Sequence, residues 1–177
     1  MADRGPDLWL AAGRTLVVAG IDITLEALCA ETGKTRGSFY HHFTSVQHYR
    51  DKLLENWRRK ATLDIITAVE QHGRHRAEAL NRMATREDHR FERALRGLAI
   101  RHADVATIVE DVDSRREDYI ARLAREDLQL EPAAAEAVAR LGIALFIAGQ
   151  LRAPDNLQAF NAGAEAWLMA AVTSVPD

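Results

Sequence analysis

The chain has 177 residues, 47% of them hydrophobic and 28% charged, with a formal net charge of -3 and one cysteine. That is enough apolar material to bury a core as one or two small domains, and a single cysteine excludes an intramolecular disulfide framework. The longest uncharged apolar run, Leu141 to Leu151, is far shorter than the roughly 20 residues of a membrane-spanning helix, so the composition predicts no membrane partner and a cytoplasmic protein.

Leu8, Ala12, Thr15, Leu16 and Ala19 place an apolar stripe on a first helix that starts near Pro6 and stops at Gly20. Asp3, Asp7 and Arg14 interrupt this segment, which fits an amphipathic helix and not a signal peptide. Thr24 then caps a second helix whose apolar face is Leu25, Leu28 and Cys29, and Gly33 ends it in left-handed geometry. Cys29 reads as a small core residue there. Thr35 is the next N-cap, and the third helix runs through Arg36, Gly37, Ser38, Phe39, Tyr40, His41 and His42. Only Phe39 and Phe43 in this stretch are plain core residues; the polar remainder suits a surface that enters a DNA groove.

From Ser45 a long helix is predicted toward His72, with Tyr49, Leu53, Trp57, Ile65, Ile66 and Val69 in one stripe and Gly73 as terminator. Ala77 to Met83 reads as a short helix, and Phe91, Ala94, Leu95, Leu98 and Ala99 mark an amphipathic one. Val105 through Leu123 mark another long helix, and Pro132 opens the next. Period-two alternation is missing, so strands are not expected. Leu141 to Gly149 is apolar or small on every side, and a helix of that kind must be covered all round. The last predicted helix, Asn156 to Val172, carries Leu157, Phe160, Ala164, Trp167 and Leu168 on one face. A second copy of this helix pair would supply the cover, making Leu141, Leu145, Gly149, Phe160, Ala164, Trp167 and Leu168 a two-fold interface; the alternative is a two-sided core within one subunit.

In the order Gly20, Thr24, Leu28, Cys29, Gly33, Thr35, Gly37, Ser38, Tyr40, His42, Phe43, the first third resembles the TetR family of bacterial transcriptional regulators. One departure is Val46, where the family usually carries a lysine that binds phosphate. The resemblance implies an all-α fold of about nine helices: a three-helix helix-turn-helix DNA-binding domain over residues 1–48, and a helical ligand-binding and dimerisation domain over 49–177. It implies a homodimer on a palindromic operator of double-stranded DNA, repressing until a small-molecule effector lowers operator affinity. Charge is distributed to match: residues 1–60 hold nine Lys and Arg against seven Asp and Glu, and the remainder 14 against 19.

Chemistry and resemblance together assign the residue roles. Arg36 is the candidate for bidentate contact with guanine, Ser38 and His41 reach neighbouring base edges, and Gly37 permits close approach. Thr24, Lys34, Thr35, Tyr40 and His42 hold phosphates. Trp57, Phe91, Arg116, Tyr119 and Phe146 are candidate linings of an effector site, each with ordinary core as its competing reading. Arg116 lies on an apolar stripe and requires a partner, either an acidic ligand or an acid of the protein. His72 to His75 reads as a solvated turn, and no metal, cofactor or enzyme motif is recognised. The alternative function is a helical interaction module that keeps the scaffold with little specific DNA binding.

Overall fold

The computed structural model describes residues 5–86 and 88–163; the predicted interface residues Ala164, Trp167 and Leu168 lie outside them. The described residues form helices and no strands: α1 Gly5–Val18, α2 Leu25–Thr32, α3 Arg36–His42, α4 Val46–Arg58, α5 Asp64–Val69, α6 Arg76–Arg86, α7 Arg90–Ala99, α8 Ala103–Leu128 and α9 Pro132–Arg152. Residues 157–163 are helical as well. The all-α class read from the periodicity is therefore the class observed.

The chain divides into two compact units that a single cut after residue 48 does not separate. The first takes the chain up to Arg59 together with Arg90–Ile108, and the second takes Lys60–His89 together with the chain from Val109 onward. The reason is α4, whose Tyr49, Leu53, Leu54 and Trp57 are buried, and Tyr49 donates its hydroxyl to the Trp9 carbonyl of α1 at 2.6 Å. Phe91 of α7 is also buried in this unit and carries the Arg14 guanidinium over its ring at 4.8 Å.

In the second unit Val69, Ala79, Tyr119 and Leu123 form a core against which Ile65, Ile66, Leu80 and Met83 pack. A charged network lies beside it. Arg76 reaches Glu126 at 3.0 Å, Glu70 at 3.3 Å and also Asp127, while Glu70 accepts from Tyr119 and Arg122 at 2.9 Å each. Burial and the Glu70 carboxylate together hold the Tyr119 phenol protonated, above its ordinary range.

The long helix predicted from Ser45 to His72 is interrupted. A π-helical turn occupies Arg59–Leu63, and a 3₁₀ turn follows α5 over Glu70–His75, ending at Gly73 with φ 53° and ψ -121°, a conformation that glycine alone adopts without strain. In the π-turn the Ala61 carbonyl accepts from Arg116 Nε at 3.3 Å and Nη2 at 3.1 Å. Side-chain insertion of this kind is a recognised cause of a break in the helical ladder. Arg116 thus has a main-chain carbonyl among its partners, and its Nη1 stands 3.7 Å from the carboxylate of Asp113.

α9 differs from its expectation on two counts. By length and mean hydropathy it would suffice to cross a membrane, and in the fold it buries Ala135, Val138, Ala139, Ile143, Phe146, Gly149 and Gln150. Leu141 and Leu151 on its other side are 50% and 63% exposed, so among the described residues this helix is not covered all round. Gly149 does not lie on that open side. A Cβ there would stand 2.3 Å from Leu157, 2.9 Å from Asn161 and 3.1 Å from Phe160, so the small residue permits a close approach within the chain.

Candidate nucleic-acid interface

Three side-chain caps set the ends of the short helices. The Thr24 hydroxyl accepts from the Ala27 N–H at 3.1 Å, that of Thr35 from Ser38 at 3.3 Å, and that of Ser45 from His48 at 3.0 Å. Each cap satisfies one amide that a helix N-terminus would otherwise leave unpaired. Gly33, at φ 64°, closes α2 in left-handed geometry, and only Gly33, Lys34 and Thr35 separate α2 from α3.

Helix α3 has seven residues, too few to be stable by itself, and it is held by its aromatic side. Phe39 is fully buried, with ring centroids 5.2 Å from Trp9, 5.3 Å from Phe43 and 5.7 Å from Tyr49. Trp9 meets it edge-on, at an interplanar angle of 82°. These contacts join α1, α3 and α4. Burial pushes the Tyr49 phenol well above its ordinary range, opposed in part by a backbone hydrogen bond at Gly13, so the hydroxyl remains a donor to Trp9.

With Phe39 anchored inward, Arg36, Gly37, Tyr40 and His41 are exposed, as are Thr24, Lys34 and Thr35 beside them. Ser38 is half-buried. His42 is half-buried too and lines a shallow groove of about 330 Å³ with Pro6, Leu10, Phe43 and His48, so it is set apart from the exposed group. The Thr24 and Thr35 oxygens accept their cap bonds and keep their O–H hydrogens for donation, which leaves both able to contact a phosphate. Gly37 has no steric reason among the described residues: of these, a Cβ there would meet only the Thr35 hydroxyl, at 3.8 Å. Glycine inside a helix costs about 1 kcal/mol relative to alanine.

Two contributors escaped the sequence reading. Glu26, in the first turn of α2, accepts from Arg36 Nη2 at 2.5 Å. Arg50 of α4 donates to the Ile23 carbonyl at 2.7 Å, fixing the backbone immediately before the Thr24 cap. Both are long-range contacts of ordinary surface residue types, and the only available signal was an acid and an arginine flanking one tight turn. Cys29 is half-buried on α2.

The predicted effector linings are divided between the two units. Trp57 and Phe91 are buried in the first unit, whereas Tyr119 and Phe146 are buried in the second. The pair that does come together is Arg116, with its guanidinium 5.3 Å from the Phe146 ring centroid, and His89 meets the same ring edge-on at 5.0 Å. Among the described residues no group of three or more His, Cys, Asp or Glu is placed to hold a metal ion. No protein-family model and no curated protein matches the chain.

Proposed function

We propose that the chain is a sequence-specific DNA-binding regulator of the TetR type, acting as a homodimeric cytoplasmic repressor. The observation that carries this reading is the exposed side of α3. Arg36, Gly37, Tyr40 and His41 lie on a short helix anchored rigidly by Phe39, and Gly37 lacks a side chain where the fold would accept one. A glycine that packing does not require, beside an arginine and flanked by capped helix N-termini, fits a helix that must approach a base edge closely. Arg36 would read guanine, His41 a neighbouring base, and Thr24, Lys34, Thr35 and Tyr40 would position the phosphates.

The test is selection of genomic fragments at moderate salt with excess competitor DNA. The wild-type chain is expected to enrich one palindrome, and Arg36→Ala to bind it more weakly by about 1 to 3 kcal/mol while remaining dimeric. An interaction module would enrich nothing and be indifferent to the substitution.

A two-fold dimer would place two α3 helices on half-sites roughly 34 Å apart. The surface that suits it is the open side of α9, where Leu141, Ala144 and Leu151 are exposed and share one helical stripe. Placing glutamate at both Leu141 and Leu151 should yield a monomer by analytical ultracentrifugation and weaken operator binding by about 10²-fold or more. A variant that still sediments as a dimer would assign the contact to another surface. An effector bound in the second unit, near Arg116 and Phe146, would release the operator by favouring one of two conformers.

A further inference from the structure

We infer that Glu26 is a specificity-determining positioning residue: its carboxylate holds the Arg36 guanidinium in a base-reading orientation and keeps it off the phosphate backbone. This rests on the DNA-reading role of α3 proposed above. The contact runs from Glu26 Oε1 in the first turn of α2 to Arg36 Nη2 at the start of α3, across the three-residue turn, at 2.5 Å. Both side chains are 67% exposed. An ion pair so open to water contributes little to stability, so its consequence lies in where the arginine points.

An acid in the first turn of a helix is ordinarily explained by the helix dipole. That accounts for a carboxylate at position 26 but not for its reach to a residue ten positions later. A guanidinium carries five N–H donors on a rigid fork, and bidentate recognition of guanine O6 and N7 uses two of them. A carboxylate on one Nη2 hydrogen therefore leaves enough donors for the base while fixing the plane of the fork. Pre-orientation lowers the ordering cost of the correct contact. At the same time the negative charge of Glu26 opposes every phosphate in reach, whatever the sequence. That repulsion is common to operator and random DNA, so specificity rises because Arg36 is prepared for guanine and held from the phosphate contact that it would otherwise make on any sequence.

Three variants measured on the selected operator and on random duplex test this: Glu26→Ala, Glu31→Ala and Glu26→Ala in an Arg36→Ala background. Glu31 is exposed on the same helix, so its removal subtracts the same charge without touching the contact. Glu26→Ala is expected to bind random duplex several-fold more tightly, with a log–log salt slope steeper by about one as Arg36 turns to a phosphate. Its operator-to-random ratio should fall about tenfold, the loss concentrated at the base pair that Arg36 reads. Glu31→Ala should leave the ratio unchanged, and so should Glu26→Ala once Arg36 is absent. Equal shifts of operator and random DNA in both glutamate variants would overturn the role of Glu26 and leave the DNA-reading function standing. Failure of the wild-type chain to select any sequence would overturn that function itself, and the role of Glu26 with it.

Discussion

Replacing Phe39 with alanine is expected to destabilise the protein by about 3 to 5 kcal/mol and, on the function proposed above, to abolish operator binding at concentrations that would saturate the wild-type chain. Phe39 is fully buried and sits within 5.2 to 5.7 Å, centroid to centroid, of Trp9, Tyr40, Phe43 and Tyr49. Its removal leaves a cavity that the four neighbouring rings cannot close by small rotations, so the cavity contribution adds to the lost transfer energy. The effect on DNA is larger than the effect on stability. Seven residues do not sustain a helix without tertiary packing, and Phe39 supplies that packing for α3. Urea titration reports the stability loss, and binding measured well below the unfolding midpoint reports the loss of function. Full operator affinity in a folded Phe39→Ala chain would show that α3 is held by something other than its aromatic side.

The second large effect is at Gly13. This glycine lies in α1 at an ordinary helical conformation, and its requirement is spatial: a Cβ would stand 1.9 Å from the Tyr49 hydroxyl oxygen and 3.0 Å from both Tyr49 Cζ and Leu53 Cδ2. Tyr49 cannot withdraw, because it is fully buried, donates to Trp9 at 2.6 Å and contacts the Phe43 ring at 5.0 Å. Gly13→Ala should therefore cost roughly 3 kcal/mol, combining overpacking with a broken buried hydrogen bond. For a chain of this size that corresponds to a melting temperature lower by about 10 °C. Adding Tyr49→Phe removes the nearest atom and should recover part of the loss, so the two substitutions are expected to be non-additive. An unchanged melting temperature in Gly13→Ala alone would contradict the packing described for α1 and α4.

What could be read from the sequence followed the range of the interactions involved. Thr24, Gly33 and Thr35 declare helix ends because a cap is made within three residues of its own position, and all three are found in those roles. Phe39 and Phe43 declare a buried side because the helical period brings them together, and both are buried. The interruption at Arg59–Leu63 is different. The stripe from Tyr49 to Val69 continues through it in sequence, and the π-turn that breaks the helix involves a carbonyl contact with Arg116, 55 residues away. Glu26 and Arg50 were silent for the same reason, since their partners are fixed by the fold and not by spacing. Gly149 carried a legible need for close approach, but the identity of the neighbour, residues 157–161 of the same chain, is a tertiary fact.

The discontinuity of the first unit also bears on how the protein is made. When the ribosome has delivered Arg59, the unit still lacks Arg90–Ile108, the segment that contains Phe91 and Leu95. Those residues follow only after the opening stretch of the second unit has emerged, some seconds later at about 5 to 20 residues per second. The nascent first unit must wait, with part of its apolar surface uncovered, for a helix encoded well downstream. A gene fragment that stops after α4 would leave the first unit in that unfinished state permanently.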